Sequence, residues 1–201
     1  MQWSASYPRD LIDACMRKPS QEELDDLIRS SNYPPLFVYG HMMLPTVLKY
    51  FADIPQSARV DMFFATLGSY KLHHFSDEVG NSPSLPTIRQ STSPFDHVEG
   101  MLVFGLTQKQ RSIVSEIEGG QNGQAPLIKV QVVVSQLDMF ANLQVSSQRL
   151  VDAGASVWIK SDRWSLEAVK PMETSHWPID KFLESQLYTN IVQHQNRTDQ
   201  D

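Results

Sequence analysis

With 201 residues the chain can bury one sizeable core, and 41% hydrophobic with 20% charged residues is the composition of a folded domain, not a disordered segment. A formal net charge of -6, with 17 basic residues spread along the chain, excludes the concentrated basic surface that a nucleic-acid partner needs. No apolar run approaches the ~20 residues that cross a bilayer, so no membrane span is expected.

The opening residues carry no basic stretch followed by an apolar core, so the expectation is a cytoplasmic protein without a secretory signal. The one cysteine, Cys15, permits neither an internal disulfide nor a cysteine-based metal cluster. Among Leu11, Ile12 and Ala14 it reads as a small buried hydrophobe.

Residues 1–35 read as an N-terminal helical extension. A short helix is expected over 8–16. Ser20 then caps a second helix, with Glu23 placed to reach back to it, and Leu24, Leu27 and Ile28 follow at helical spacing. Pro34 and Pro35 stop that helix and deliver an extended chain into 36–42. That run, Leu36-Phe37-Val38-Tyr39-Gly40-His41-Met42, has the form of a buried strand, a glycine turn and a helix start. Glycine lets backbone approach a ligand closely, and N–H groups at a helix start suit an anion such as a carboxylate. A helix is expected over 44–51, with Pro45 in its first turn.

A second strand is expected over 62–67, ended by Gly68-Ser69 and continued beyond a kink by 70–75. Residues 76–84 are turn-forming types, 85–88 a short extended piece, and 91–94 another loop. Residues 98–106 form a strand with glycine near both ends. Thr107 then caps a helix over 108–117, with Gln110 at the capping-box position and Gly119-Gly120 as its stop. A strand follows at 127–134. Residues 135–150 read as either a short helix or a long hairpin arm, and 155–159 as another strand. Pro178 starts one last amphipathic helix with Phe182, Leu183, Leu187 and Ile191 on a face, and 195–201 reads as a polar, frayed tail. The main domain is thus 36–194. Consecutive strands with few helices predict an α+β fold whose mixed sheet curls or closes into a barrel, with helices at its side.

Glu118 is the leading catalytic candidate. It falls at the C-terminal end of its helix, where the negative pole disfavours a carboxylate by roughly 0.3–1 kcal/mol. That field, with burial, raises its pKa and makes it a better proton acceptor near neutral pH. His41 suits two roles, a pocket acid or base and a surface imidazole. His73 and His74 adjoin on a strand, so their rings face opposite ways and cannot share a metal. His97 and His176 have no carboxylate or cysteine at ligand spacing, so no metal site is expected. Trp158, Trp164 and Trp177 read as core or rim aromatics.

In order and spacing these segments resemble the gamma-glutamyl cyclotransferase-like family, which includes the plant avirulence-induced-gene proteins. Phe37-Val38-Tyr39-Gly40-His41-Met42 is similar to the family signature Phe-x-Tyr-Gly-(Ser/Thr)-Leu. Ala65 to Tyr70 is similar to its second-strand segment, and Leu85-Pro86-Thr87-Ile88 to its proline-containing segment. Val98-Glu99-Gly100 and Leu102 to Leu106, with Glu116-Ile117-Glu118-Gly119, resemble the strand–helix block that carries the family's acid/base glutamate. The resemblance implies a small mixed β-barrel with flanking helices and a cavity at its mouth. It implies a reaction without a cofactor: the α-amine of a γ-glutamyl group attacks its own γ-carbonyl, giving 5-oxoproline and a free amine or amino acid. Glu118 would move the protons, backbone N–H groups of Gly40, His41 and Met42 would hold the glutamyl carboxylate, Tyr39 would line the cavity, and Pro86 would join the substrate site.

His41 stands where the family has a hydroxyl residue and Met42 where it has leucine, and no tyrosine follows Glu118 within 121–129. These departures open a second reading, a proton-transfer enzyme (isomerase, cyclase or lyase) acting on a specialised metabolite. A third is a non-catalytic binding protein that keeps the pocket. In each, the expected partner is a small molecule, and monomer and homodimer both stand open.

Overall fold

The computed structural model describes residues 7–75, 86–119, 125–140, 143–158 and 169–198. The 76–84 loop, Leu85, Gly120, the tyrosine-free 121–124, Ile159 and Trp164 lie outside the described residues.

Strand β1 (Leu36–Val38) is only three residues long but is buried on both faces. That double burial is why its sequence is a continuous apolar run and not an alternation. Leu36 and Val38 face a core shared with the helices, whereas Phe37 and Tyr39 point into a second core inside a barrel. The barrel closes through five strands in the order β1, β5 (His97–Val103), β2 (Met62–Gly68), β6 (Leu127–Phe140) and β7 (Leu143–Ser156). Every neighbouring pair is antiparallel except the closure, where β1 runs parallel to β7 with Leu36 opposite Gly154. The Gly154 N–H donates to the Pro35 carbonyl at 2.9 Å at this seam. Gly100 gives the barrel interior room, because a Cβ there would stand 2.6 Å from the Phe37 ring and 2.5 Å from the Val38 carbonyl oxygen.

Three strands form a separate sheet in the order β4 (Pro86–Gln90), β3 (Tyr70–Phe75) and β8 (Val169–Pro171). The expected kink at 68–69 is therefore a change of sheet. Ser69 takes φ 61°, and β3 leaves the barrel to pair with Pro86–Gln90. The strand expected over 98–106 ends at Val103, where Gly105 takes φ 75°.

The ambiguous 135–150 stretch is a hairpin arm, with β6 and β7 paired from Leu127↔Ser156 out to Phe140↔Leu143. The strand expected over 155–159 belongs to β7, which ends at Ser156.

Helices α1 (Arg9–Met16) and α2 (Gln21–Ser30) lie on the barrel. Ser20 accepts the Glu23 N–H at 3.0 Å, as its spacing predicts. The Glu23 carboxylate pairs with Arg17 instead of completing the box, and Arg17 also holds Asp61 at 2.8 Å. Cys15 faces the Met101 sulfur at 3.7 Å, and burial pushes its thiol up to about 12.

The 40–43 segment is a single 3-10 turn that leads into α3 (Pro45–Phe51). Helix α4 (Gln108–Gly119) is capped reciprocally, Thr107 accepting from the Gln110 N–H and Gln110 from the Thr107 N–H. The single closing helix expected after Pro178 is two, α5 (Ile179–Leu183) and α6 (Gln186–Thr198). The Ser185 hydroxyl caps the second by accepting the Tyr188 N–H. Helix α6 also runs through the segment expected to fray. Gln195 is buried there and donates to the Thr46 carbonyl at 2.7 Å. Among the described residues no helix is long and apolar enough to cross a membrane.

Candidate active site

Tyr39 ends β1 in extended backbone, and Gly40 then turns with φ 68°, a conformation glycine adopts without a Cβ penalty. The turn is covered by the Pro86 ring, which occupies the space a Gly40 side chain would need. The sequence-predicted residues Tyr39, Gly40 and Pro86 thus meet at one corner, where β1 leaves the barrel and β4 begins.

Glu118 reaches the same corner from the last turn of α4. Its side chain is 7% exposed, and Oε1 accepts the Tyr39 N–H at 3.2 Å, joining residues 79 apart in the sequence. Oε2 is buried and has no hydrogen bond of ordinary geometry among the described residues. Burial pushes the carboxyl up to about 8, while the Tyr39 amide and the nearby Ser156 hydroxyl oppose the shift. The desolvation of a buried carboxylate outweighs both donors. The group is therefore largely protonated at neutral pH, and its charged form is within easy reach.

The Tyr39 ring points into the barrel and its hydroxyl donates to the Ser156 carbonyl at 2.7 Å. Burial, with the Glu118 charge next, holds that phenol well above its ordinary range, so it acts as a neutral hydrogen-bonding group. Ser156 also faces Ser115, hydroxyl to hydroxyl at 3.4 Å. Thr87, beside Pro86, is buried with its side chain close to the Tyr39 phenol, where it opposes that upward shift, though in no hydrogen bond of ordinary geometry, and the Trp158 indole N–H, two residues beyond Ser156, is buried and unpaired among the described residues. Trp158 packs in a separate cluster with Ala125 and Val169, whereas Glu118 Oε2 and Thr87 Oγ1 are both buried at this corner without a hydrogen bond of ordinary geometry among the described residues. Such atoms are uncommon in folded proteins and mark places where a ligand or water completes the bonding.

His41 and Met42 part from this group. Their side chains are buried in the helix-side core. The His41 ring lies 5.5 Å from Phe182, 5.9 Å from Phe51 and 6.1 Å from Trp177. Burial pulls its imidazole down to about 4, so it is a neutral core residue. Both roles considered for it, pocket acid or base and surface imidazole, are corrected by this aromatic enclosure. Any part His41 and Met42 play toward a ligand is left to their backbone.

Sequence reasoning missed Ser115, Thr87 and Ser156 as site residues. Ser115 had a legible signal, lying three positions before Glu118 on the same helix face. Ser156 was visible only as a hydroxyl residue at the end of an apolar strand. Among the described residues no group of three His, Cys, Asp or Glu side chains is placed to hold a metal ion.

No family model matches this sequence, and no curated protein does. Solved structures do show likeness. An uncharacterized protein from Homo sapiens is similar at 19% identity, with a TM-score of 0.42 over 70% of this chain and 72% of its own. A gamma-glutamyl cyclotransferase is similar at 20% identity and a TM-score of 0.40, again over 70% and 72%.

Proposed function

We propose that the chain is a cyclotransferase acting on a γ-glutamyl amine, amino acid or glutathione adduct, with Glu118 as general acid and base. The observation that carries this reading is the Glu118 carboxyl, buried against the Tyr39 N–H with Oε2 unpaired. A carboxyl with its pKa near 8 can both accept and return a proton near neutral pH.

In the reaction the substrate α-nitrogen bonds to the γ-carbon, and the bond from that carbon to the leaving nitrogen breaks. The α-nitrogen gives up two protons and the leaving nitrogen takes two, so an ammonium group leaves and 5-oxoproline remains. Glu118 carries the protons one at a time. A bound α-ammonium beside the carboxyl favours its ionised form by charge attraction, readying it to accept the first. Ring closure is intramolecular, so holding the substrate bent supplies much of the catalysis, several kcal/mol for good alignment.

One observation favours a second reading. The Gly40 turn is walled by the Pro86 ring, an apolar surface beside the predicted carboxylate anchor. An isomerase, cyclase or lyase acting on a less polar metabolite would use the same Glu118 against such a wall.

The test is 5-oxoproline release from a panel of γ-glutamyl dipeptides and amides. Turnover of at least one member is expected, reduced roughly 10²–10⁴-fold in Glu118→Gln. No product from any member moves the assignment to the second reading.

A further inference from the structure

We infer that Ser156 and Ser115 form a two-hydroxyl relay that positions the Glu118 proton, the pair reversing its hydrogen-bond direction each time the carboxyl changes charge. Both are positioning residues, and the inference rests on Glu118 being the acid and base proposed above.

Ser156 is the last residue of β7, and it is fully buried. Its backbone is held in place from several sides. It pairs in register with Leu127, its carbonyl accepts the Tyr39 hydroxyl at 2.7 Å, and the Val157 N–H that follows donates to the Pro126 carbonyl at 3.1 Å. Its Cβ is therefore fixed, and rotation of the hydroxyl is the freedom left. That hydroxyl stands between two groups. Ser115 Oγ is 3.4 Å away, and the Glu118 carboxyl is near enough for Ser156 to oppose its upward shift. Ser115 and Glu118 lie three residues apart on one face of α4, so the helix presents both to the end of β7.

The charged and titratable neighbours are few. The Tyr39 phenol feels the Glu118 charge and stays neutral. Arg111, about two turns earlier on α4, donates to the Pro34 carbonyl. Pro86 and Thr87, at the start of β4, bring no charge.

A buried carboxyl that changes charge needs different partners in its two forms. Ionised, it only accepts, and neutral, it also has an O–H to donate. The Tyr39 N–H donates to Oε1 in either form. A serine hydroxyl can do both, because it carries one hydrogen and accepts as well. With Glu118 neutral, Ser156 accepts from the carboxyl and donates to Ser115. With Glu118 ionised, Ser156 turns its hydrogen to the carboxylate and accepts from Ser115. The exchange needs only rotation of two hydroxyls and a slight approach of side chains already in place. Hydrogen bonds linked in this way strengthen one another in low-dielectric surroundings, most where one partner is charged. Ser115 thus acts on Glu118 through Ser156.

The test follows Glu118 by NMR of labelled glutamate carboxyl carbons, its signal assigned by loss in Glu118→Gln, beside the pH profile of kcat/KM for 5-oxoproline release. In Ser156→Ala the charged carboxyl loses a donor, so its midpoint is expected about one pH unit above wild type, and the kcat/KM profile moves with it. The Ser156 carbonyl remains, so Tyr39 keeps its bond. Ser156→Cys, close in size with a weaker donor, is expected to fall between, and it keeps the test open should the alanine variant not fold. Ser115→Ala is expected to raise the midpoint by less than Ser156→Ala does, and to add nothing in the Ser156→Ala background. Thermal melting of each variant checks that it is folded. A midpoint unmoved or lowered in the Ser156 variants, or a Ser115→Ala effect equal in both backgrounds, overturns the relay while any 5-oxoproline release leaves the reaction standing. Midpoints that shift as expected without release of 5-oxoproline support the relay and remove the reaction.

Discussion

The Pro86 ring stands where a side chain on Gly40 would go, so the two residues can adjoin only because one of them has no Cβ. Gly40 also takes φ 68°, which other L-residues resist. The contact joins the first barrel strand to the second sheet at the point where Glu118 arrives.

Gly40→Ala therefore carries two penalties, backbone strain and a steric clash with a ring that has little freedom to move. Together they should destabilise the fold by roughly 2–5 kcal/mol. Urea denaturation measures this directly. Gly40→Ala with Pro86→Ala should recover the clash and leave the strain. A single variant as stable as wild type would mean the turn is free to rearrange.

The raised Glu118 carboxyl sets a sign for stability. Unfolded, it titrates near its ordinary 4.5, and folded, at about 8. Below the lower value both states are neutral and nothing is lost. Between them the unfolded chain ionises and the folded one resists, so stability falls as pH rises and levels off above the upper value. The full loss is on the order of a few kcal/mol. Glu118→Gln removes it, so the variant should melt above wild type near pH 8 and beside it near pH 4. A calorimetric offset equal at both pH values would show that the carboxyl is not held neutral.

Activity should follow the same group in the opposite sense. Only ionised Glu118 accepts a proton, so kcat/KM for 5-oxoproline release should rise with pH through about 8. With an ammonium bound beside it the carboxyl ionises earlier, so the kcat profile should turn at lower pH than kcat/KM. Stopped assays across the range separate the two, and coincident profiles would remove the substrate ammonium from the account.

His41 contributes a pH dependence of stability opposite in sign to that of Glu118. Its imidazole is lowered from 6.5 to about 4 in the folded chain by burial. Above the higher value it is neutral in both states. On acidification the unfolded chain takes up the proton first, so this contribution drops between these values, by up to ~1.4 kcal/mol per pH unit. Glu118 opposes this slope over the same window, so His41→Leu should make stability rise more steeply on acidification between pH 6.5 and about 5 than it does in wild type. An unchanged slope in denaturant titrations would place the sensitivity elsewhere.

Much of the chain was legible where the determining contacts are local. The Thr107–Gln110 box and the Ser20 cap are satisfied within three residues of sequence, so their spacing alone announces them. Glu118 could be singled out for a related reason, its place at a helix end. Other features escaped because distant partners decide them. Ser69 sends its strand to another sheet because Pro86–Gln90 waits there to pair with it. Glu23 forsakes its capping partner for Arg17, which Asp61 helps to position. His41 looks like any polar residue after a turn until Phe51, Trp177 and Phe182 are seen around it.

By itself the sequence determined the capped starts of the α2 and α4 helices, that the β1 run is buried on both sides, and that an acidic side chain lies at the end of the α4 helix. These follow from hydrogen bonds and periodicities spanning a few residues. Only the tertiary structure decided that this carboxyl lies dry against the Tyr39 amide, that Pro86 closes over Gly40, and that Ser156 meets Ser115. Desolvation and field are sums over neighbours brought together by folding, and chain order does not name those neighbours.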